Sequence, residues 1–217
     1  MLVLLPPSEG KAEPEAGAPV DLGSLAFAEE LGERREAVID AFDPALREAP
    51  AAPAADVYTG VLFKRLELPH LPAKGRRQVL IFSALWGVVR PDDRIPYYKL
   101  PPKTKLKGIG APPAYWRPGL TEALPDKEGE LIVDMRSGAY SSFWKPKRAT
   151  LLPVRAFTER DGERKAVSHM AKASRGDVAR ALLQAKKAPK DPEGAAAISE
   201  AAGLRVELAA GSLDVIV

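Results

Sequence analysis

The chain has 217 residues and no cysteine, and its hydrophobic share of 46% and charged share of 28% are ordinary for a soluble globular protein. The lack of cysteine excludes a disulfide framework and a thiolate metal site, and it fits a reducing cytoplasm, where we expect the protein to work. No stretch approaches the ~20 apolar residues of a membrane helix, and the N-terminus lacks the basic flank of a signal peptide, so no membrane partner is expected. The two histidines, His70 and His169, lie far apart without ligand spacing around them, so we predict no metal site and no cofactor.

Short apolar runs alternate with amphipathic segments along the chain, which predicts an α/β or α+β fold with a mixed sheet flanked by helices. The length is that of one large domain or two small ones. Strands are predicted, in chain order, at residues 2–5, 79–83, 131–134, 151–157, 165–169, 204–208 and 213–217. Helices are predicted at residues 25–42 and 170–186, and residues 44–53 are interpreted as a short helix and a linker. Turns at Asp161-Gly162 and at residues 210–212 are expected to join the later strands into hairpins.

The net charge of +3 conceals a strong asymmetry along the chain. Residues 1–60 carry a net charge of −8 and residues 191–217 one of −4, whereas residues 61–135 carry +5 and residues 136–190 carry +10. A concentration of basic charge in the middle and third quarter of a chain is typical of a face that binds phosphate groups. The three lysines Lys186, Lys187 and Lys190 are more simply explained as the solvated end of a helix and a linker.

The most informative pattern of the chain lies at residues 83–100, which read SALWGVVRPDDRIPYYKL. An apolar turn of helix at residues 84–86 runs into Gly87, which permits a positive φ or a close backbone approach, and Pro91 prevents continuation of a helix. The segment is therefore predicted to be a rigid, hairpin-like connection that presents Arg90, Arg94, Tyr97, Tyr98 and Lys99. Rigidity beside so many cations and phenols favours a binding site over the simpler interpretation, a Pro-rich surface loop.

Polar side chains follow three of the predicted strands at the point where each strand ends. They are Ser8, Glu9 and Lys11 after the first strand, Asp134, Arg136, Ser137 and Tyr140 after the strand at 131–134, and His169, Lys172 and Arg175 after the strand at 165–169. Because ligands bind at the carboxyl ends of strands in open α/β sheets, we expect these side chains to converge on one basic pocket with Arg90 and Lys99. Taken singly, Glu9, Asp134 and Arg175 are more simply explained as caps or surface ion pairs.

Several common catalytic signatures are absent from the sequence. It contains no GxxxxGK[ST] loop, no HExxH and no GxSxG, so NTPase, zinc-protease and hydrolase interpretations have no support. The glycines at residues 108–110 lack the strand–helix context of a dinucleotide-binding loop. The tripeptide Tyr58-Thr59-Gly60 can be explained as a turn after a loop.

Six segments occur in an order that is characteristic of one protein family. They are LLPPSEGK at 4–11, DVYTGVLF at 56–63, SALWGVVRPDDRIPYYKL at 83–100, AYW at 114–116, IVDMRSGAY at 132–140 and VSHMAKASRGDVARALL at 167–183. In these segments the chain resembles the YaaA family of peroxide-stress proteins. The resemblance covers nearly the whole chain and implies one domain, residues 1–217. It also implies a cytoplasmic bacterial protein that protects cells from hydrogen peroxide by limiting free iron and oxidative DNA damage.

The same resemblance implies an α/β fold with a positively charged cleft, a helix-hairpin-helix element and binding to duplex and branched DNA. By position, the helix-hairpin-helix is expected near residues 80–100, with Gly87 at its tight turn. The chain departs from many relatives in its first motif, which reads PPSEGK where they have SPAKT, and in a reduced, Ala/Pro-rich region at residues 13–53.

The residues and the resemblance together favour a protein that binds DNA through a basic cleft without sequence specificity. The residues expected to contact DNA are Gly87, Arg90, Arg94, Tyr97, Lys99, Arg136, Lys172 and Arg175. Candidates for stacking on exposed bases are Tyr97, Tyr98, Tyr115 and Trp116. Trp86, in contrast, is expected to lie in the core.

The alternative is an enzyme that acts on a nucleobase, a nucleotide or another small anionic substrate. Its candidate catalytic residues are Lys11 or Lys172 as nucleophile or electrostatic clamp, Asp134 as general base, and Tyr97 or Tyr140 as proton donor. If Arg90, Asp134, Lys172 and Arg175 line a pocket of small-ligand size, the enzyme is favoured. If they line an open groove wide enough for a duplex, DNA is favoured.

Overall fold

An eight-stranded mixed sheet flanked by helices forms the centre of the computed structural model, which describes residues 1–136, 138–160, 163–166 and 170–217. This architecture confirms the predicted fold class. The strands are β1 (Leu2–Leu5), β2 (Ala51–Pro53), β3 (Val79–Ser83), β4 (Gly87–Val89), β5 (Arg94–Pro96), β6 (Leu131–Asp134), β7 (Thr150–Arg160), β8 (Glu163–Ala166), β9 (Val206–Ala209) and β10 (Ser212–Ile216). The α-helices are α1 (Ala28–Phe42), α2 (Ala54–Val57), α3 (Val61–Leu66), α4 (Ala73–Arg76), α5 (Pro112–Ala123), α6 (Met170–Gln184) and α7 (Pro192–Ala201). Short 3-10 helices lie at Pro44–Arg47, Leu68–His70 and Gly138–Ser142.

The large sheet is parallel at its centre and antiparallel at its margins. Its strand order is β4-β3-β1-β6-β7-β10-β9, with β8 paired to β7, and β2 and β5 form a separate two-stranded sheet. The pairs β1/β3, β1/β6, β6/β7 and β7/β10 are parallel. In the register of the central strand, Leu4 lies opposite Leu80 on β3 and opposite Asp134 on β6. The segments that follow β1, β3 and β6 therefore emerge at one edge of the sheet, where ligands of such sheets bind.

Continuous apolar runs account for the central strands. Every residue of β1 and β3 is buried, as expected for strands that are covered on both faces. The predicted strands at 2–5, 79–83 and 131–134 are confirmed with these bounds, and the strands at 151–157, 204–208 and 213–217 are confirmed with ends shifted by one to three residues. The predicted strand at 165–169 begins earlier, as β8. The predicted Asp161-Gly162 turn and residues 167–169 lie outside the described residues.

Two helices differ from their predicted bounds for identifiable reasons. Helix α1 begins at Ala28 rather than at residue 25, because Phe27 has a left-handed backbone with a φ of 60°. Residues 44–53, predicted as a short helix and a linker, form the 3-10 helix Pro44–Arg47 and then β2, which pairs with β5. The register of β2 on β5 is a long-range pairing that local sequence does not encode.

The segment at residues 80–100 corrects one expectation. It contains no helix: β3, a turn and β4 form an antiparallel hairpin, and β5 follows. The turn is held by the Ser83 hydroxyl, which accepts hydrogen bonds from the backbone N–H groups of Leu85 and Trp86, both at 3.1 Å. The apolar residues at 84–86 therefore make a tight β-connection, and the predicted helix-hairpin-helix is absent from this segment.

Gly87 is required by the packing of this hairpin. Its φ is 72°, and a Cβ atom at this position would lie 2.7 Å from a ring carbon of Trp116. The Trp116 side chain is fully buried and its indole N–H donates to the Ala84 carbonyl oxygen at 2.9 Å. Gly87 is thus needed both for its positive φ and for the close approach of the indole ring.

Candidate functional site

A pocket of about 690 Å³ opens at the carboxyl end of β1. It is lined by residues 6–11 after β1, residues 60–63 at the start of α3, residues 98–102 after β5, residues 139–140, and Lys172 and Arg175 of α6. Its volume falls within the range of about 300–1,000 Å³ that small-molecule sites occupy. The predicted convergence of polar groups at this edge of the sheet therefore gives a pocket of small-ligand size.

The loop after β1 is pinned to the segment before α3. Pro6 and Pro7 end the strand, and the backbone N–H of Gly60 donates to the Ser8 hydroxyl oxygen at 2.6 Å. A Cβ atom at position 60 would lie 2.3 Å from that hydroxyl oxygen, so a larger residue there would displace the Ser8 side chain and break this hydrogen bond. A backbone hydrogen bond from the Thr59 N–H to the Gly10 carbonyl oxygen, at 3.0 Å, extends the contact. Of the tripeptide at residues 58–60, interpreted from sequence as a turn, Gly60 lines the pocket.

Lys11 lines this pocket and is held by contacts of its amino group. Its Nζ donates to the Ser8 carbonyl oxygen at 2.6 Å and lies 4.6 Å from the centroid of the Tyr98 ring and 5.8 Å from that of Tyr58. Burial lowers the pKa of Lys11 from its ordinary value of 10.5 to about 8; Glu9 opposes this shift and Lys99 adds to it. A lysine of this kind exists partly as the neutral amine near neutral pH.

The floor under Lys11 is a chain of buried hydroxyl groups. The Tyr98 hydroxyl lies 2.7 Å from the Tyr58 hydroxyl and 2.7 Å from the Ser83 hydroxyl. Burial raises the pKa of Tyr98 to about 12 and raises that of Tyr58 well above its usual value. Both phenols therefore remain protonated at physiological pH and hold the two rings in place beneath the amine.

Cations dominate the rim of the pocket. Lys99, Lys172 and Arg175 line it together with Lys11, against one carboxylate, that of Glu9. The Lys172 Nζ lies 3.4 Å from a Glu9 carboxylate oxygen, with the two side chains 50% and 91% exposed. Such an exposed pair contributes little to stability, about 0–1 kcal/mol, so it can be opened by a competing anion.

Arg175 and Tyr140 complete the wall of the pocket. The Arg175 Nε donates to the Val154 carbonyl oxygen at 2.9 Å, which fixes the guanidinium against β7, and burial lowers its pKa. Burial raises the pKa of Tyr140, and the nearby Tyr98 and Glu9 raise it further. The Tyr140 phenol therefore stays protonated and can donate a hydrogen bond.

Asp134 and Arg136 form a buried ion pair rather than part of the lining. The Arg136 Nε and Nη2 each lie 2.9 Å from an Asp134 carboxylate oxygen, and the guanidinium carbon lies 4.2 Å from the Phe82 ring centroid. The Arg136 guanidinium also donates to the carbonyl oxygens of Trp144 at 2.9 Å and Tyr140 at 3.4 Å. Asp134 is thus engaged and does not face the pocket as the predicted general base. The pair instead fixes the segment that carries Tyr140.

Four other predicted contact residues lie away from the pocket. The Arg90 guanidinium donates to the Arg77 carbonyl oxygen at 2.6 Å, and its backbone N–H donates to an Asp93 carboxylate oxygen at 2.8 Å. The Arg94 guanidinium donates to the Ala51 carbonyl oxygen across the small sheet. Gly87 is covered by an indole ring, as described above. Tyr97 is 36% exposed and is not among the residues that line the pocket.

Burial also decides the roles of the aromatic candidates. Trp86 is fully buried, which confirms its predicted place in the core. Trp116 is fully buried and Tyr98 is 3% exposed, so neither ring can stack on a base as predicted. Tyr115 is partly buried, with its ring under the Arg34 guanidinium at 5.3 Å. Of the predicted polar residues, Ser137 and His169 lie outside the described residues.

Two kinds of feature are absent from the described residues. Within them, no helix is long and apolar enough to cross a membrane. The same part of the chain contains no group of three or more His, Cys, Asp or Glu side chains that could hold a metal ion.

The fold and pocket define an α/β protein with a cation-lined pocket at its strand ends, and comparisons with known proteins give its family. The chain matches the family model described as peroxide stress protein YaaA over residues 20–208. It is 40% identical over 230 residues to a UPF0246 protein of Streptomyces coelicolor, with 88% of this chain and 86% of that protein aligned. A UPF0246 protein of Corynebacterium efficiens is 37% identical over 244 residues, which cover 100% of this chain and 98% of that protein. The chain belongs to the YaaA family of peroxide stress proteins.

Proposed function

We propose that the pocket at the carboxyl end of β1 binds a small ligand that carries a phosphate or carboxylate group, of the size of a nucleotide. The observation that carries this proposal is the charge of the lining, which has four basic side chains and a single carboxylate. An anion placed there would replace Glu9 as the ion-pair partner of Lys172. It would also compensate the positive charge of Lys11.

The remainder of the lining suits the body of such a ligand. Four proline rings and the side chains of Leu62 and Phe63 contribute apolar surface beside the cations. Ligand sites combine a mostly apolar wall with a few convergent polar groups in this manner. The Tyr140 phenol and the cations would orient the ligand, and the apolar wall would accept a base, a sugar or an alkyl chain.

Isothermal titration calorimetry with deoxyadenosine 5′-monophosphate and with inorganic phosphate tests this proposal. We expect saturable binding that Lys99→Ala weakens by about tenfold, since one charge-assisted contact contributes about 1.5–3 kcal/mol. Lys190→Ala is the matched control, because it removes the same charge from an exposed site outside the pocket. Equal affinity in all three proteins, or no binding of either compound, contradicts the proposal.

A second candidate function, DNA binding, is favoured by a separate observation. The loop that follows the pocket residues Pro101 and Pro102 carries three exposed lysines, Lys103, Lys105 and Lys107. Spaced lysines on an exposed loop can contact successive phosphates of a nucleic-acid backbone without reading its sequence. Protection of DNA in the cytoplasm during peroxide stress, with a reduced effect of free iron, would follow from this activity.

Fluorescence anisotropy with duplex, single-stranded and branched DNA across a salt series tests the second candidate. Each neutralised phosphate of a duplex should contribute about 0.9 to the slope of log affinity against log salt. The triple variant K103A/K105A/K107A should flatten this slope, whereas K186A/K187A/K190A, with the same loss of charge, should not. Equal slopes in both variants would exclude the loop as a DNA contact.

A further inference from the structure

We propose that Lys11 is a nucleophile that forms an imine with the carbonyl group of an anionic aldehyde bound in the pocket. This inference rests on the proposed function, because it takes the same pocket and the same cations and adds the chemistry of the ligand. It is carried by the position of one amino group relative to the cations and phenols around it.

The Lys11 amine is placed where a ligand can reach it. Lys11 and the five residues before it line the pocket, and its Nζ lies 4.6 Å from the ring centroid of Tyr98, which lines the pocket as well. Within the described part of the chain, the Ser8 carbonyl oxygen at 2.6 Å is its hydrogen-bond acceptor. One N–H of a neutral amine satisfies this acceptor, so the nitrogen lone pair is left for a carbon atom in the pocket.

Burial of Lys11 favours the neutral form that a nucleophile requires. The carboxylate nearest in sequence, Glu9, is paired with Lys172 instead. Burial and the proximity of Lys99 lower the pKa of Lys11 to about 8, which exceeds the opposing effect of Glu9. A lysine that is desolvated beside another cation is activated for attack on a carbonyl carbon in this way.

The remaining lining groups suit an aldehyde that carries an anion. Lys99, Lys172 and Arg175 can hold a phosphate or carboxylate and so keep the carbonyl carbon within reach of Nζ. Tyr140 lines the same pocket with a phenol whose pKa is raised, so it can donate a hydrogen bond to the carbonyl oxygen.

The reaction balances without an oxidant, a reductant or a metal ion. The amine lone pair forms a C–N bond to the carbonyl carbon, and the C=O π electrons move to oxygen, which takes a proton. Nitrogen releases one proton as the carbinolamine forms. The carbinolamine then loses its hydroxyl group as water, with one proton supplied by the phenol or by solvent, and nitrogen releases its second proton back to the phenolate or to solvent. The net change is amine plus aldehyde giving imine plus water, and hydrolysis reverses it.

The probe for this proposal is pyridoxal 5′-phosphate, an aldehyde that carries a phosphate group, followed by borohydride reduction and mapping of the labelled peptides. At pH 7.5 we expect Lys11 to be labelled at least about tenfold faster than Lys190, since an ordinary lysine, with a pKa of about 10.4, is almost entirely protonated. The rate at Lys11 should rise with pH, reach half of its maximum at about pH 8 and level off above that. Pyridoxal, which lacks the phosphate, should label Lys11 much more slowly, and inorganic phosphate should protect it.

Two results separate failure of this inference from failure of the proposed function. If calorimetry shows the nucleotide bound but the label falls on surface lysines and not on Lys11, the imine is wrong and the anion site stands. If neither binding nor selective labelling occurs, both are wrong. The mapping uses the wild-type protein and does not depend on a folded variant; Lys11→Arg, which retains the charge and cannot form the imine, should lose the selective label.

Discussion

The Nζ of Lys11 lies 4.6 Å from the centroid of the Tyr98 ring, whose hydroxyl is itself held 2.7 Å from the hydroxyls of both Tyr58 and Ser83. An amine over an aromatic face is attracted as a cation, yet burial at this site favours the neutral form and prevails, since the pKa falls to about 8. Lys11 thus lies on the Tyr98 ring, whose hydroxyl is held by hydrogen bonds to Tyr58 and Ser83. These three hydroxyl groups come from separate parts of the sequence.

Tyr98→Phe should destabilise the fold without altering the pocket. The change removes a buried hydroxyl and leaves the Tyr58 hydroxyl without its partner, which costs about 1–3 kcal/mol in the free energy of unfolding. The ring beneath Lys11 is retained, so nucleotide affinity should be unchanged. Urea denaturation and calorimetry measure the two quantities. Tyr97→Phe, at a 36% exposed position, is the matched control and should change stability by less than about 0.5 kcal/mol. Equal effects of the two changes would contradict the buried hydroxyl chain.

Gly176→Ala should loosen the contact between α6 and α3. A Cβ atom at this position would lie 2.5 Å from the Leu62 carbonyl oxygen, which belongs to the backbone and cannot move away cheaply. Overpacking of this kind costs about 1–3 kcal/mol, and displacement of α6 should also weaken ligand binding through the neighbouring Arg175. Gly32→Ala in α1 has open space around it and should stabilise the protein by about 0.5–1 kcal/mol. Thermal melts that rank the two variants the other way would show that the helices do not pack as described.

Arg136→Met should be among the most destabilising single changes, because it leaves the buried Asp134 carboxylate without its cationic partner and with only the backbone N–H of residue 136 as donor. Removal of one member of a buried pair costs about 3–5 kcal/mol. The double variant Asp134→Leu/Arg136→Met, which removes both charges, should recover much of that loss. If the single variant is as stable as the wild type but loses affinity for DNA, the pair is not structural, and Arg136 contacts DNA as the sequence suggests.

The lowered pKa of Lys11 should appear in the pH dependence of stability. Between pH 8 and about 9.5 the folded state has lost the Lys11 proton while the unfolded chain still holds it, so the unfolded state binds more protons and stability rises with pH. Below pH 8 the penalty for burying the charged amine is present in full. In Lys11→Met this rise should be absent. Urea denaturation of both proteins at pH 7, 8 and 9 checks the sign; parallel curves would mean that Lys11 titrates as an exposed lysine.

The sequence predicted the elements whose signals are local. The buried runs at residues 2–5, 79–83 and 131–134 are strands because a continuous apolar run between turn residues has few alternatives. The hairpin-like connection predicted after residue 83 is present, but the helical turn predicted at 84–86 is not. Three-residue strands are too short to show a period of two, and an apolar triplet before glycine fits a helical turn equally well. Its true conformation depends on the Trp116 ring, which packs over Gly87 from elsewhere in the chain.

The same limit applies to the candidate site. Lys11, Lys99, Lys172 and Arg175 could be found from sequence because each follows a predicted strand or lies in the aromatic-rich segment. The contact of Ser8 with Gly60 joins residues 52 positions apart, and no pattern in the sequence marks it. Asp134 was a candidate base by residue type alone, and only the structure shows that Arg136, two residues away, already binds its carboxylate.

The central claim, that an anionic ligand binds at the carboxyl end of β1, is tested most directly by a backbone amide NMR titration with deoxyadenosine 5′-monophosphate. The account predicts saturable shift changes at residues 8–11, 60–63 and 98–102, the segments that line the pocket. Changes confined to the lysine loop at residues 103–107, or none in the lining segments at nucleotide concentrations up to the millimolar range, would contradict it.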